Sequence, residues 1–254
     1  MKDHKLRRIL SGISIALILA IFLYAGFQIY DYLRAENESK QLADDLIDMA
    51  VTIPPDTSDT SDPPSETAPI EVDFEALWQE NKDVIAWIYC EGTPIHYPVV
   101  QSSDNSYYLR RMLNGEYNIN GTIFLDYRCP SDFSAFNSII YGHHMTSGEM
   151  FGTLPKYKEQ DYYEAHPVMY LLTPGQNYKI ELIAGYTTPS DSDTYTLSEA
   201  AESKNAFLEH ALQESTFQSS VSVSETDTFI TLSTCSYEYE NARFVVIGKL
   251  NALG

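Results

Sequence analysis

The sequence predicts a mainly β fold: a closed or nearly closed barrel of about eight strands, with one helix at its start and another inserted late in the chain. Three observations carry this. Short runs rich in β-branched and aromatic residues, bounded by turn residues, recur from Ile85 to Leu250. Helical periodicity marks only Phe74–Trp78 and Ser198–Ser215 within the folded region. A composition of 44% hydrophobic and 20% charged residues suits a globular domain with attachments rather than a disordered chain.

Residues 1–8 form a basic segment with Lys2, Lys5, Arg7 and Arg8. Ile9 to Tyr30 follows, 22 residues without a charge. At about 1.5 Å per residue, a helix of this length crosses a hydrocarbon core of roughly 30 Å. The basic residues ahead of it and Asp31 behind it predict a single-pass cell-membrane protein, N-terminus cytoplasmic and the bulk of the chain extracellular. A cleaved signal peptide is the competing reading. Its apolar core would be about 7–15 residues and end at a small-x-small site. This run is longer and has no clear site of that kind, so 9–30 reads as an uncleaved transmembrane anchor. A formal charge of −20 argues against nucleic acid as a partner, because phosphate binding needs clustered Lys and Arg.

Residues 31–69 are a juxtamembrane segment and linker. Leu33, Leu42, Leu46, Ile47 and Met49 allow a short helix before Ala50, and Thr52 to Pro69 is rich in Pro, Ser, Thr and Asp. The folded domain is expected at 70–254. Asp73 is a candidate N-cap for a helix carrying Phe74, Leu77 and Trp78. Strands are expected at Ile85–Tyr89, Ile95–Val100, Gly121–Asp126, Ser138–Tyr141, Tyr178–Tyr186, Thr228–Thr234 and Arg243–Leu250. Ala200, Ala201, Phe207, Leu208, Ala211 and Leu212 give the inserted helix its apolar face.

Cys90, Cys129 and Cys235 are an odd number of cysteines for an exported chain, so at least one is free or paired between molecules. Cys235 ends an apolar strand, seven polar-rich residues follow, and a second apolar strand starts at Arg243. Paired as a hairpin, strands about 4.8 Å apart would bring Arg243 to any group bound at the thiol. The bland alternative is a core cysteine beside a surface arginine. Cys90, at a strand end, and Cys129, in an Arg-Cys-Pro loop, are expected to have no catalytic part, and a disulfide between them stays open.

A thiol nucleophile needs a proton-transfer partner. His143, in Tyr141-Gly142-His143-His144, sits just past a strand, where catalytic side chains are often presented. His144 is its rival, since sequence alone does not say which neighbour points inward. The paired histidines also suggest a metal, but no matching ligand cluster accompanies them, and neither metal nor cofactor is expected.

Thr231-Leu232-Ser233-Thr234-Cys235, with Arg243 eight residues on, resembles the TLxTC…R hairpin of sortases, and Tyr141-Gly142-His143-His144 resembles their histidine loop. Asp83–Ile88, Thr93–Gln101, Asp104-Asn105, Gly121–Asp126 and the inserted helix resemble the class B branch, over roughly Phe74 to Leu250. The resemblance implies a sortase-type barrel and a cysteine transpeptidase. Cys235 would be the nucleophile, His143 the acid/base and Arg243 the oxyanion or substrate-backbone stabiliser. Tyr141, Asn105, Ser233 and Thr234 would line the substrate groove. Ser236 departs from the acidic residue some class B members carry after the cysteine.

By the same resemblance, the partners are secreted proteins bearing a C-terminal sorting motif, cleaved after Thr, and an amine of a cell-wall precursor or a pilin Lys. Two other readings fit the same residues. One is a different extracytoplasmic cysteine peptidase or an L,D-transpeptidase-like enzyme, which usually sets its cysteine in a Gly-rich or helix N-terminal context. Another is a non-catalytic surface-binding barrel. No carboxylate is evident to orient the histidine, which suggests that only a fraction of enzyme is in the thiolate–imidazolium form.

Overall fold

The structure, a computed structural model, describes residues 2–54 and 67–254. Two compact units are distinguished, one ending at Leu42 and the other spanning Ala43–Gly254.

Helix α1 runs Lys2–Ala50 without a break. The separate juxtamembrane helix allowed by the sequence is therefore a continuation of the apolar one; no Gly or Pro lies in 31–50 to stop it. From Leu10 the helix is long and apolar enough to cross a membrane, with mean hydropathy 2.2 and its Phe22 and Leu23 side chains exposed. Most of the linker, residues 55–66, lies outside the described residues.

The second unit starts earlier than the Ile70 expected from sequence, because the end of α1 carries core residues. Leu46 and Ala50 are buried, and the Ala50 carbonyl accepts from Asp73 N at 2.8 Å. Strands β1 (Val51–Thr52) and β2 (Glu71–Val72) pair antiparallel, so both ends of the linker are held together. In α2 (Phe74–Glu80), Asp73 is the N-cap: its Oδ1 accepts from Ala76 N at 3.0 Å, satisfying one orphan donor of the first turn.

Eight strands then close a barrel: β3 (Val84–Tyr89), β4 (His96–Val100), β5 (Phe124–Leu125), β6 (Asn137–Tyr141), β7 (Val168–Leu172), β8 (Tyr178–Pro189), β9 (Phe229–Cys235) and β10 (Ala242–Ala252). Their order is β10-β8-β7-β3-β4-β5-β6-β9, with β9 returning to β10. Closure leaves no free sheet edge. The interior is packed by Ile88, Val99, Leu125, Ile140, Leu182, Leu232 and Phe244 among others. β7 is absent from the sequence expectation; its five residues are apolar throughout, without the alternation that marks a half-buried strand.

Helix α3 (Gln160–Ala165) precedes β7. The inserted helix is α4 (Ala201–Glu214), whose Phe207, Leu208 and Ala211 pack with Ile183, Tyr186, Phe229, Val245 and Ile247. Those partners belong to β8, β9 and β10, so α4 backs the strands that carry the hairpin cysteine. Each fully buried Phe or Leu there contributes about 1.5–3 kcal/mol.

Most neighbours are antiparallel, but β4–β5 and β6–β9 are parallel. The parallel β6–β9 pair matters most for the site. Tyr141 is the Cα partner of Ser233, so the residues that follow each strand position, Gly142-His143 and Thr234-Cys235, emerge side by side.

Candidate active site

The β9–β10 hairpin forms in the expected register, with Arg243 the Cα partner of Cys235. Ser236 N donates to Ala242 O at 3.0 Å and continues the ladder one step past the cysteine. Beyond that the Glu238 carboxylate ties the loop down, bonded by Lys158 Nζ from outside and by Ser236 Oγ from within. Lys158 also stands 5.4 Å from the ring centroid of Phe244. With these partners Glu238 is drawn down to about 2, chiefly by its bond to Lys158.

The β6 end is stitched to β9. Gly142 N donates to Ser233 O at 3.1 Å, and Thr234 Oγ1 donates to Gly142 O at 2.9 Å. Gly142 lacks a Cβ for a local reason: one placed there would lie 2.6 Å from the Phe151 ring. That close packing fixes where His143 leaves the strand.

The two histidines have different partners. His143 Nε2 lies 2.8 Å from the Leu109 carbonyl, and His144 Nδ1 lies 2.9 Å from the Cys235 carbonyl. A carbonyl only accepts, so the neutral His143 carries its proton on Nε2 and the neutral His144 on Nδ1. Burial lowers the titration of His143; the Leu109 bond opposes this and the charge of Arg110 adds to it.

Around these groups lies one open cleft of about 220 Å³. Cys235, His143, Arg243, Tyr141, Asn105, Ser233 and Thr234 all line it, together with Leu109, Phe124 and Tyr195. All seven residues singled out from the sequence are thus brought together. His144 does not line the cleft. Cys235 is partly exposed, whereas Cys90 and Cys129 are buried free thiols in the barrel core. Burial pushes both of those thiols up. Among the described residues no group of three or more His, Cys, Asp and Glu is disposed to hold a metal.

Three contributors escaped the sequence. Leu109 acts through its main-chain carbonyl, which no residue type announces. Tyr195 stands in the β8–α4 connection, where its hydroxyl lies 2.8 Å from Ser233 Oγ and its ring stacks on Tyr141. Burial pushes Tyr195 up to about 12, so it stays a neutral hydroxyl. Asp126 was visible as part of a motif, but not as the buried acceptor of Asn105 and Tyr141, each at 3.0 Å.

A closed mixed barrel presenting a thiol, an imidazole and a guanidinium in one cleft defines a cysteine enzyme of the acyl-transfer type. The comparisons with known proteins agree. Residues 88–251 match the sortase domain model. Sortase B of Listeria monocytogenes is 35% identical over 250 residues, covering 97% of this chain and 98% of that protein. The structure of a Staphylococcus aureus sortase B–substrate complex superposes with TM-score 0.68 at 32% identity, covering 71% of this chain and 85% of that one. A structure of sortase B complexed with triglycine gives TM-score 0.68 at 32% identity, covering 71% and 86%. The chain belongs to the sortase family, in its class B branch, and is a cysteine transpeptidase.

Proposed function

We propose that this enzyme cleaves a C-terminal sorting motif of secreted proteins after Thr, and passes the acyl group to an amine of a cell-wall precursor or a pilin Lys. The observation that carries the reading is the shared cleft of Cys235, His143 and Arg243. Cys235 Sγ, as thiolate, attacks the carbonyl carbon of the Thr. The tetrahedral oxyanion is stabilised by the Arg243 guanidinium. His143, as imidazolium, gives its proton to the departing amine, and a thioester to Cys235 remains. The incoming amine attacks that thioester and loses a proton to His143. Cys235 leaves as thiolate, and a new amide bond replaces the old one. Tyr141, Asn105, Ser233 and Thr234 line the groove that receives the peptide.

The substrate and triglycine complexes of the relatives support a peptide donor and an amine acceptor. The apolar stretch of α1 supports an anchor at 9–30, with residues 1–8 in the cytoplasm and the catalytic domain on the outer face, where both substrates are held.

The test is intact-mass analysis of the full chain in detergent with a panel of sorting peptides, with and without an amine. Wild type should form a thioester adduct that amine resolves faster, and Cys235→Ala should form none. A panel that leaves Cys235 unmodified, while a small electrophile still reaches it, would reject the sorting-motif assignment.

A further inference from the structure

We propose that Asp126 is a positioning residue that sets the hydrogen-bond polarity of the Asn105–Tyr141 wall of the cleft. The inference rests on the peptide-transfer reading above. The Asp126 side chain is 0% exposed, yet donors converge on both of its oxygens. Oδ1 accepts from the Arg128 backbone N at 3.0 Å and from Arg128 Nε at 2.9 Å. Oδ2 accepts from an Arg128 terminal nitrogen at 2.7 Å, and from Asn105 Nδ2 and Tyr141 Oη at 3.0 Å each. Burial favours the neutral acid, but the Arg128 bonds and the Asn105 amide outweigh it and hold the group below the usual carboxylate range.

An ionised carboxylate accepts and never donates, and this fixes what the wall offers. Asn105 must turn its NH2 toward Asp126. Its other end is fixed as well, since Asn105 Oδ1 accepts from Tyr127 N at 3.0 Å. One Nδ2 hydrogen is left over. Tyr141 spends its single hydroxyl proton on Asp126 and presents lone pairs. Both residues line the cleft, so the wall shows a donor at Asn105 and an acceptor at Tyr141. That pairing complements the C=O and N–H of an extended peptide. Tyr141 passes the constraint on by stacking against Tyr195, whose hydroxyl bonds Ser233.

Asp126→Asn is the informative change, because it keeps the shape and removes one acceptor oxygen. Arg128 N and Nε both meet Oδ1, so the new carboxamide turns its oxygen there and its NH2 toward Asn105, Tyr141 and the Arg128 terminal nitrogen. Two donors then face each other, and Asn105 must flip or withdraw. The measurement is acylation kinetics of the full chain with a sorting peptide that modifies wild type. Beside it run the rate of Cys235 alkylation by a small electrophile and the melting temperature.

The variant is expected to lose about tenfold in kcat/KM, carried by KM, for the loss of a hydrogen bond to substrate. Its alkylation rate should equal that of wild type. Asn105→Ala should show a similar loss, and the double variant little more than either alone. Asp126→Asn combined with Arg128→Gln leaves no unpaired charge, and should recover melting temperature while keeping the KM defect. A wild-type KM in both Asp126 variants overturns the proposal, as do losses that multiply in the double variant or a parallel drop in alkylation. A wild type that acylates with no peptide sinks the functional reading and this proposal with it. A wild type that acylates no better than Asp126→Asn sinks the proposal alone.

Discussion

Arg243 stands directly across from Cys235 in the β9–β10 ladder, and directly opposed residues of an antiparallel pair project from the same face. A bond from its NH1 to the Ala242 carbonyl, 2.9 Å, braces the guanidinium, which lines the same cleft as the thiol. Arg243→Ala should lower kcat of acylation by about 10²–10³, the scale of losing an oxyanion donor. Arg243→Lys should recover little, because an ammonium lacks the planar fork. Single-turnover acylation reads both. A lysine variant with wild-type kcat would show that charge alone suffices.

The hairpin was legible because its information is local. Cys235 and Arg243 come from adjacent strands, and turn length alone sets their register. The His143 loop is a different case. It meets Cys235 through the parallel β6–β9 pair, whose crossover spans β7, β8 and α4; no local pattern encodes that meeting, the residues offer only a histidine just past a strand, and the family resemblance favours His143 over His144. β7 is silent in the sequence because a uniformly apolar five-residue run has no period to read. The end of α1 reads as juxtamembrane because Leu46 and Ala50 look like scattered apolar residues until the pairing of β1 with β2 is known. Asp126 and Leu109 were invisible as site residues for one shared reason. Each acts on a neighbour in space, and neither touches the thiol.

The two histidines should separate cleanly on mutation. His143 lines the cleft, while His144 spends its Nδ1 proton on the Cys235 carbonyl. His143→Ala should cost about 10²–10⁴ in acylation rate, the usual worth of a general acid/base. His144→Asn, which can still donate to that carbonyl, should stay within about tenfold of wild type. The reverse ranking would move the acid/base role to His144.

Gly121 should matter to a histidine far from it in sequence. Its φ is +59°, and a Cβ there would lie 2.4 Å from the Tyr108 carbonyl oxygen and 2.6 Å from that of Leu109. The Leu109 oxygen is the one that holds His143 Nε2. Gly121→Ala should therefore cost stability of about 1–3 kcal/mol through backbone strain, and also slow acylation by displacing the Leu109 carbonyl. Melting temperature and single-turnover rate measured together check this. A destabilised variant with an unchanged rate would detach Gly121 from the site.

Native thiol labelling should distinguish the three cysteines. Cys90 and Cys129 are buried, and burial holds both as thiols, whereas Cys235 is open to the cleft. Iodoacetamide at neutral pH should add one label to the folded chain and three after denaturation, one for each cysteine in the sequence. Peptide mapping should place the native label on Cys235. A native label on Cys90 or Cys129 would mean that the barrel opens on the labelling timescale.

The lowered titration of His143 has consequences of opposite sign for stability and for rate. In the folded chain burial disfavours the imidazolium, so below the ordinary value of 6.5 the unfolded chain takes up a proton that the folded site resists. Folding stability from this group is present above that pH, falls as pH drops through it, and stops falling once pH is below the folded value. A melting series from pH 8 downward should show this component in wild type and lose it in His143→Gln. Activity needs the imidazolium as well as the thiolate, so kcat/KM should be bell-shaped, with one limb set by His143 below 6.5. Only the fraction with both charges present turns over at any pH. A profile without a limb below 6.5, or such a limb unmoved when the Leu109 bond is disturbed by Gly121→Ala, would remove His143 from the proton transfer.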